Sequence, residues 1–167
     1  MYNGKMRIAI ILVLINFVAL SACVIDPETD SELGLIIAVG NGSAAPGSAD
    51  VSVNLTMDNV VPVKGIQMQI CDQGDNLTCT GCETTARASK FTCASNEREN
   101  GCVSIILVSL EGDLIDVGTG SLFSLSYDVA DGAPSECLSL TPAETIVSDE
   151  NTSPLNATTE EGEFCIN

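Results

Sequence analysis

The middle of the chain alternates between apolar and polar side chains over short segments. Residues 51–57, 66–70 and 123–129 each place an apolar side chain at every second position. Because successive side chains of a strand point to opposite faces of a sheet, this period of two predicts strands with one buried and one exposed face.

Other short apolar segments complete an all-β pattern. One of them, residues 103–110, is apolar except at Ser104 and Ser109, which suits a central strand. No segment shows a sustained helical period, and Gly, Pro, Asn and Asp punctuate the chain. We therefore predict about nine short strands in one domain, residues 33–167, forming a β-sandwich or jelly roll. The remaining strand segments are residues 33–39, 77–85, 90–94, 138–140, 146–147 and 163–166.

The first residues have the order of a secretory signal. Lys5 and Arg7 precede an apolar run, residues 8–20, that is interrupted only by Asn16. A positive region, an apolar region and then small residues predict a signal peptide over residues 1–22. An uncleaved membrane anchor is the alternative, but the run is shorter than the roughly 20 residues that span a bilayer.

The end of this run, Leu20-Ser21-Ala22-Cys23, resembles the lipobox of bacterial lipoproteins. That resemblance implies acylation of Cys23, which becomes the new N-terminus. Residues 23–32 are polar, acidic and contain a proline, so we predict a flexible tether there. Val24 is not the aspartate that lipoprotein sorting associates with inner-membrane retention, which favours the outer membrane or the cell surface.

The chain is strongly acidic, with 23 Asp and Glu against six Lys and Arg. Beyond Cys23 the basic residues are Lys64, Arg87, Lys90 and Arg98. Nucleic-acid binding is excluded by this balance, because phosphate contacts need clustered basic side chains. Anionic membrane surfaces would repel the domain, so we expect membrane contact through the lipid alone. Such acidity also suits the solubility of an exported domain.

Seven cysteines follow Cys23, and in an oxidising compartment they predict disulfides with one thiol left over. The sequence does not fix their connectivity. We favour Cys93 with Cys102, which flank a polar turn, and next Cys137 with Cys165. Cys71 would then pair with Cys79 or Cys82.

An ordered set of segments across residues 33–166 resembles a cohesin domain. The set comprises the loop Ala45-Pro46-Gly47-Ser48, the strand VSVNLTM and the strand Gly65-Ile66-Gln67-Met68-Gln69-Ile70. Residues 115–120 followed by LFSLSYDV, Val147-Ser148-Asp149 and the closing Gly162-Glu163-Phe164 continue it. The extra cysteines depart from the best-known cellulosomal cohesins and leave residues 72–82 without a counterpart.

The resemblance implies a non-catalytic, envelope-anchored receptor that captures dockerin-bearing proteins, including glycan-degrading enzymes, and so serves polysaccharide degradation. In the family, one sheet face docks a helical dockerin, and here residues 64–71, 90–94, 102–110 and 137–140 would form it. We predict partner contacts at Gln67, Gln69, Lys90, Glu97 and Arg98. The alternative is that Gln67 and Gln69 are simply the solvated side of a half-buried strand.

The sequence offers little catalytic or metal chemistry. It contains no histidine, so neither a Ser-His or Cys-His nucleophile nor a histidine metal site can form. Cys79-Thr-Gly-Cys82 has redox or zinc spacing, but without a βαβ pattern or a second ligand pair it predicts a structural disulfide. Acids that could ligate calcium match no EF-hand loop, and we interpret them as solvated: Asp72, Asp75, Asp149 and Glu150. We therefore predict no enzyme, cofactor or metal.

Two other functions remain open. Cohesins share their jelly roll with carbohydrate-binding modules, so direct polysaccharide binding is the main rival. The domain has no Trp and one Tyr, Tyr127, which weakens that interpretation because sugar platforms use exposed aromatic rings. A structural surface lipoprotein without a ligand is the third possibility, and an exposed apolar patch on residues 66–70 and 103–110 would argue against it.

Overall fold

The computed structural model describes residues 34–98 and 101–167, so the predicted signal peptide, Cys23 and tether lie outside the described residues. No helix in these two described ranges is long and apolar enough to cross a membrane. They contain a 3₁₀ turn, Ala86–Ala88, and twelve strands: β1 Ile36–Val39, β2 Gly42–Ala44, β3 Val51–Asn59, β4 Gly65–Cys71, β5 Leu77–Thr84, β6 Thr92–Glu97, β7 Cys102–Val108, β8 Gly118–Val129, β9 Glu136–Ser148, β10 Pro154–Leu155, β11 Thr158–Glu160 and β12 Gly162–Ile166.

The strands form two sheets that pack face to face. The first sheet has the order β11-β1-β3-β8-β5, and the second has the order β2-β12-β9-β4-β7-β6 with β10 also paired to β9. Strand pairs are antiparallel except β1 with β11 and β2 with β12. The all-β sandwich predicted from the sequence is confirmed.

The core consists of the side chains that the period of two sends inward. In β3, Val53, Leu55 and Met57 are buried while the residues between them are exposed. β4 and β8 follow the same rule, and Phe123 and Phe164 are the largest fully buried side chains. Since a fully buried apolar side chain contributes about 1.5–3 kcal/mol, this alternation is the main source of stability.

Two short parallel strand pairs, β1 with β11 and β2 with β12, close one side of the sandwich. The chain passes from β1 to β2 and from β11 to β12, and each time it moves from the first sheet to the second. The two passages cross at Gly40 and Gly162, where a Cβ on Gly162 would overlap the carbonyl oxygen of Gly40. Glycine is therefore required at this crossing by the close approach of two backbones.

The strand inventory differs from the predicted segments in two ways. β2, β10 and β11 are only two or three residues long, too short to show any period. The segments 138–140 and 146–147 were predicted as separate strands but belong to the single strand β9. A register shift interrupts its pairing with β4 near Glu144, whose φ of 46° marks a bulge that hides the continuity in sequence.

Cys137 and Cys165 form a disulfide, as predicted, between directly opposite residues of β9 and β12. The other two predicted pairings are wrong, because the structure joins Cys71 to Cys102 and Cys82 to Cys93.

The sheet register explains both corrections. Cys93 lies opposite Leu107, far along β7 from Cys102, whereas Cys102 lies directly opposite Cys71. The Cys82–Cys93 bond instead joins β5 of the first sheet to β6 of the second. Cys79 is the unpaired thiol of the described ranges, so the two cysteines of the Cys79–Cys82 motif do not bond each other.

Arg87 holds the 3₁₀ turn against the end of the first sheet. Its guanidinium is partly buried, which lowers the pKa of Arg87. The guanidinium satisfies several backbone carbonyls at once, so Arg87 has a structural role. The acceptors are the carbonyl oxygens of Met57 (2.6 Å), Gly120 (3.2 Å), Asp116 (3.2 Å) and Gly118, and the side-chain oxygen of Asn59.

Candidate partner-binding face

The four segments that the sequence analysis assigned to a docking face lie side by side. They correspond to β4, β6, β7 and β9, which are neighbours in the order β9-β4-β7-β6. Gln67 is exposed and Gln69 is partly exposed on β4, between buried Ile66, Met68 and Ile70. Both glutamines therefore point outward, as predicted.

An apolar patch surrounds Gln67. Directly opposite Gln67 are Ile106 on β7 and Ile146 on β9, and these side chains are 48% and 55% exposed. Val108, which is 38% exposed, lies in the next row, opposite Gly65. Since a contiguous exposed apolar patch marks an interaction site, these residues define the centre of the candidate face.

Polar groups occupy the other end of this face. Gln69 lies between Ser104 and Ala143, and its amide donates a hydrogen bond to the carboxylate of Glu144. Arg98 is close by, with Nε donating to Oγ of Ser104 at 2.9 Å. The β9 bulge thus brings a carboxylate beside the predicted contact residue Gln69.

Lys90 lies at the margin of the face, just before β6. Its ammonium forms an ion pair with Asp113 at 3.0 Å, which raises the pKa of Lys90 and lowers that of Asp113. Exposed pairs of this kind add little to stability, because water and salt screen the two charges. Lys90 is therefore already engaged by Asp113 of a neighbouring loop.

Glu97, also predicted as a contact, lies away from this face. It is opposite buried Val103 on β7, so it projects toward the first sheet. There its Oε2 accepts a hydrogen bond from the backbone N–H of Cys79 at 3.0 Å. Glu97 consequently bridges β6 and β5 across the seam that the Cys82–Cys93 disulfide also closes.

The exposed apolar side chains of this face, Ile106, Val108 and Ile146, were not among the contacts predicted from the sequence. The alternation within β7 could have identified two of them. Ile105 and Leu107 point into the core, so Ile106 and Val108 must point outward, on the same side as Ser104. A strand that is apolar on both faces needs cover on both sides. The sequence analysis placed residues 102–110 on the docking face, but it did not name Ile106 or Val108 among the predicted contacts.

The face carries little charge compared with the rest of the chain. Among the outward positions of the four described strands, Glu144 is the one carboxylate, in a chain with 23 acidic residues. Charged residues are depleted at the centres of protein interfaces because their desolvation is costly. The charge distribution and the apolar patch therefore indicate the same surface.

Two of the four acids considered as calcium ligands, Asp149 and Asp72, have surroundings that the structure defines. Asp149 Oδ1 accepts hydrogen bonds from the backbone N–H groups of Asn151 and Ser153, at 2.9 and 2.8 Å, and so closes a turn. Burial raises the pKa of Asp72 to about 6, and the nearby carboxylate of Glu97 adds to the rise. The surroundings of Asp72 thus favour the neutral carboxyl more than water does.

The cysteines near the surface are poorly suited to metal binding or thiol chemistry. Cys137, Glu163 and Cys165 lie close enough together to ligate a metal ion, but both sulfurs are committed to a disulfide. Burial raises the pKa of the Cys79 thiol. Because the thiolate is the reactive and ligating form, these cysteines fit structural roles.

No protein family model and no curated protein matches the sequence. Solved structures match along most of the chain. CaCohA2 from Clostridium acetobutylicum is 24% identical with a TM-score of 0.66, and the match covers 81% of this chain and 92% of that one. A non-cellulosomal cohesin from the archaeon Archaeoglobus fulgidus is 19% identical with a TM-score of 0.65, covering 80% and 91%. A chain of the Coh-OlpA–Doc918 complex, a type I cohesin–dockerin complex from Clostridium thermocellum, is 14% identical with a TM-score of 0.68, covering 80% and 99%.

These likenesses concern three-dimensional structure, since each identity is below 25%. The architecture is a two-sheet jelly roll with its candidate site on the exposed face of the larger sheet. More narrowly, the domain has the cohesin fold, as the order of sequence segments predicted.

We predict that Asp72→Asn stabilises the domain at neutral pH and has little effect in acid. Since the folded-state pKa of Asp72 is raised from 3.8 to about 6, its contribution to stability is fully present below 3.8 and is lost as the pH rises through 6. The side chain is only half buried, so we expect a gain of about 1 kcal/mol at pH 8 after solvent screening. Thermal unfolding at pH 4 and pH 8 measures it, and an equal difference at the two pH values would contradict the prediction.

Proposed function

We propose that this domain is a non-catalytic receptor that binds a dockerin-type helical module on the face of β4, β6, β7 and β9. The observation that carries the proposal is the exposed apolar patch of Ile106, Val108 and Ile146 around Gln67. It lies on the sheet face that the resemblance to cohesins assigned to the partner. Two of the structural neighbours come from cohesin–dockerin complexes of Clostridium thermocellum.

The patch has the composition of a protein interface. Its apolar side chains surround the amide of Gln67, and its rim offers the amide of Gln69 and the hydroxyl of Ser104. A partner would release water from the apolar centre and hydrogen-bond at the rim. The face is built on paired strands, so it is rigid before binding, which lowers the entropic cost of association.

Direct glycan binding receives no support from the aromatic residues. Tyr127 is 2% exposed, and the phenylalanines of the described ranges, Phe91, Phe123 and Phe164, are also buried. A stacking platform for sugars therefore has no ring available on the described surface. A ligand-free structural role is disfavoured by the apolar patch, which a purely structural domain has no reason to expose.

The proposal includes anchoring at the cell envelope through a lipid on Cys23. The described chain begins at residue 34 and enters β1 of the first sheet, where Gly34 lies near Val60. The candidate face belongs to the second sheet. A tether arriving at β1 would thus leave that face free for captured proteins, of which glycan-degrading enzymes are the class we propose.

We predict that Ile106→Asp abolishes dockerin binding without unfolding the domain. A buried, unpaired carboxylate in the interface centre should weaken affinity by at least about 100-fold. The matched control is Val117→Asp, because Val117 is similarly exposed, at 56%, beside the start of β8 on the first sheet. The measurement is titration of the oxidised chain and both variants against a panel of purified dockerins that includes Doc918.

The binding results separate the alternatives clearly. Wild type and Val117→Asp should share an affinity that Ile106→Asp lacks, with similar melting temperatures for all three proteins. A wild-type chain that retains polysaccharide but none of the dockerins would refute the receptor function. Equal weakening by the two variants would place the contact elsewhere.

We also predict that Cys23→Ser releases the protein from membranes. Stable attachment needs more than one acyl chain, and the cysteine of a lipobox is the residue that carries them. Mass spectrometry of the expressed protein should find acyl chains on Cys23, and fractionation should move the variant to the soluble fraction. Unmodified Cys23, or membrane retention of the variant, would overturn the anchoring proposal.

A further inference from the structure

Gly65 leaves a gap in the outward side chains of the candidate face. It lies between Val108 of β7 and Ser148 of β9, both directly opposite it. In the adjoining row Gln67 lies between Ile106 and Ile146. Because glycine has no side chain, these five neighbours enclose a shallow depression of about 220 Å³ whose floor is the backbone of Gly65.

The fold does not require glycine at this position. Gly65 has no positive φ, and a Cβ there would lie 3.4 Å from the carbonyl oxygen of Leu107 and 3.6 Å from Oγ of Ser148, which are ordinary contacts. Gly162, by contrast, has no room for one. Glycine inside a strand also weakens it, since it loses the most conformational freedom on folding. The missing side chain therefore needs an explanation other than backbone geometry.

We propose that the depression over Gly65 is a socket for one aliphatic side chain of the bound partner. The proposal rests on the receptor function above and identifies the anchor of its interface. The walls of the socket are branched apolar side chains, Val108, Ile106 and Ile146, which match a valine, isoleucine or leucine. Gln67 and Ser148 at the edge can hydrogen-bond to the polar groups beside that residue.

The dimensions favour a side chain over other occupants. Pockets for small molecules have volumes of about 300–1,000 Å³ and enclose most of the ligand, whereas this depression is smaller and open. Gln67 closes one end, so an extended backbone could not lie along β4 through the gap. A second copy of this chain is disfavoured, because two strongly acidic domains repel each other.

The test fills the socket. Gly65→Ala and Gly65→Val place one and three carbon atoms in the depression, and we expect affinity for a dockerin bound by the wild-type chain to fall about fourfold and about 10- to 100-fold. Melting temperatures should stay equal or rise, since both residues suit a strand better than glycine. The control is Gly81→Val on the outward side of β5, where a Cβ meets nothing within 4 Å, and binding should be unchanged.

A double-mutant cycle identifies the occupant. Each aliphatic residue of the dockerin surface is replaced by alanine and titrated against wild type and Gly65→Val. One of these replacements should weaken binding to the wild type by about tenfold or more and have little further effect on Gly65→Val.

The outcomes distinguish this inference from the receptor function. Dockerin binding by wild type that persists unchanged in Gly65→Val would overturn the socket and leave the receptor standing. Additive effects for every dockerin replacement would overturn it as well. Absence of binding to all dockerins of the panel would overturn the receptor function and the socket with it. Concentration-dependent dimerisation in sedimentation, lost in Gly65→Val, would assign the socket to a second copy and refute the proposal.

Discussion

The whole domain depends on burying one row of side chains from each long central strand. In β3, β4, β7 and β8 every second residue enters a shared core, and this single rule fixes which residues face solvent. A one-residue slip would exchange the two faces. The disulfides between Cys71 and Cys102 and between Cys137 and Cys165 join directly opposite residues and hold the register of the second sheet.

The same rule explains why one outer face is suited to a partner. Apolar residues that pack the core are expected on inward positions, so Ile106, Val108 and Ile146 on outward positions are not explained by folding. They lie around Gln67 on strands whose outward positions carry one carboxylate, Glu144, in a chain with a formal net charge of −17. Gly65 adds a depression that the backbone does not demand. The proposed recognition of a partially apolar, helical partner would account for all of these features together.

Sequence patterns predicted the features that follow from local alternation. The longer strands, the outward direction of Gln67 and Gln69, and the Cys137–Cys165 bond were correct. Features set by contacts between distant segments were missed. The β9 bulge and the short strand β2 depend on backbone pairing with distant segments. Such pairing produces no alternation of apolar and polar residues in the sequence. Glu97 was misplaced because its direction depends on the register of β6 against β7, which also keeps Cys93 away from Cys102. The partner of Cys102 is decided by the register of β4 against β7, which places Cys71 directly opposite it.

The central claim is that the partner covers the apolar patch of the second sheet. Hydroxyl-radical footprinting tests it directly, since it reports the exposure of individual side chains in the free chain and in the dockerin complex. We predict that oxidation of Ile106 and Ile146 falls sharply in the complex, while Val60 and Val117, which are equally exposed near the first sheet, stay unchanged. Protection of Val60 and Val117 with continued oxidation of Ile106 would contradict the claim.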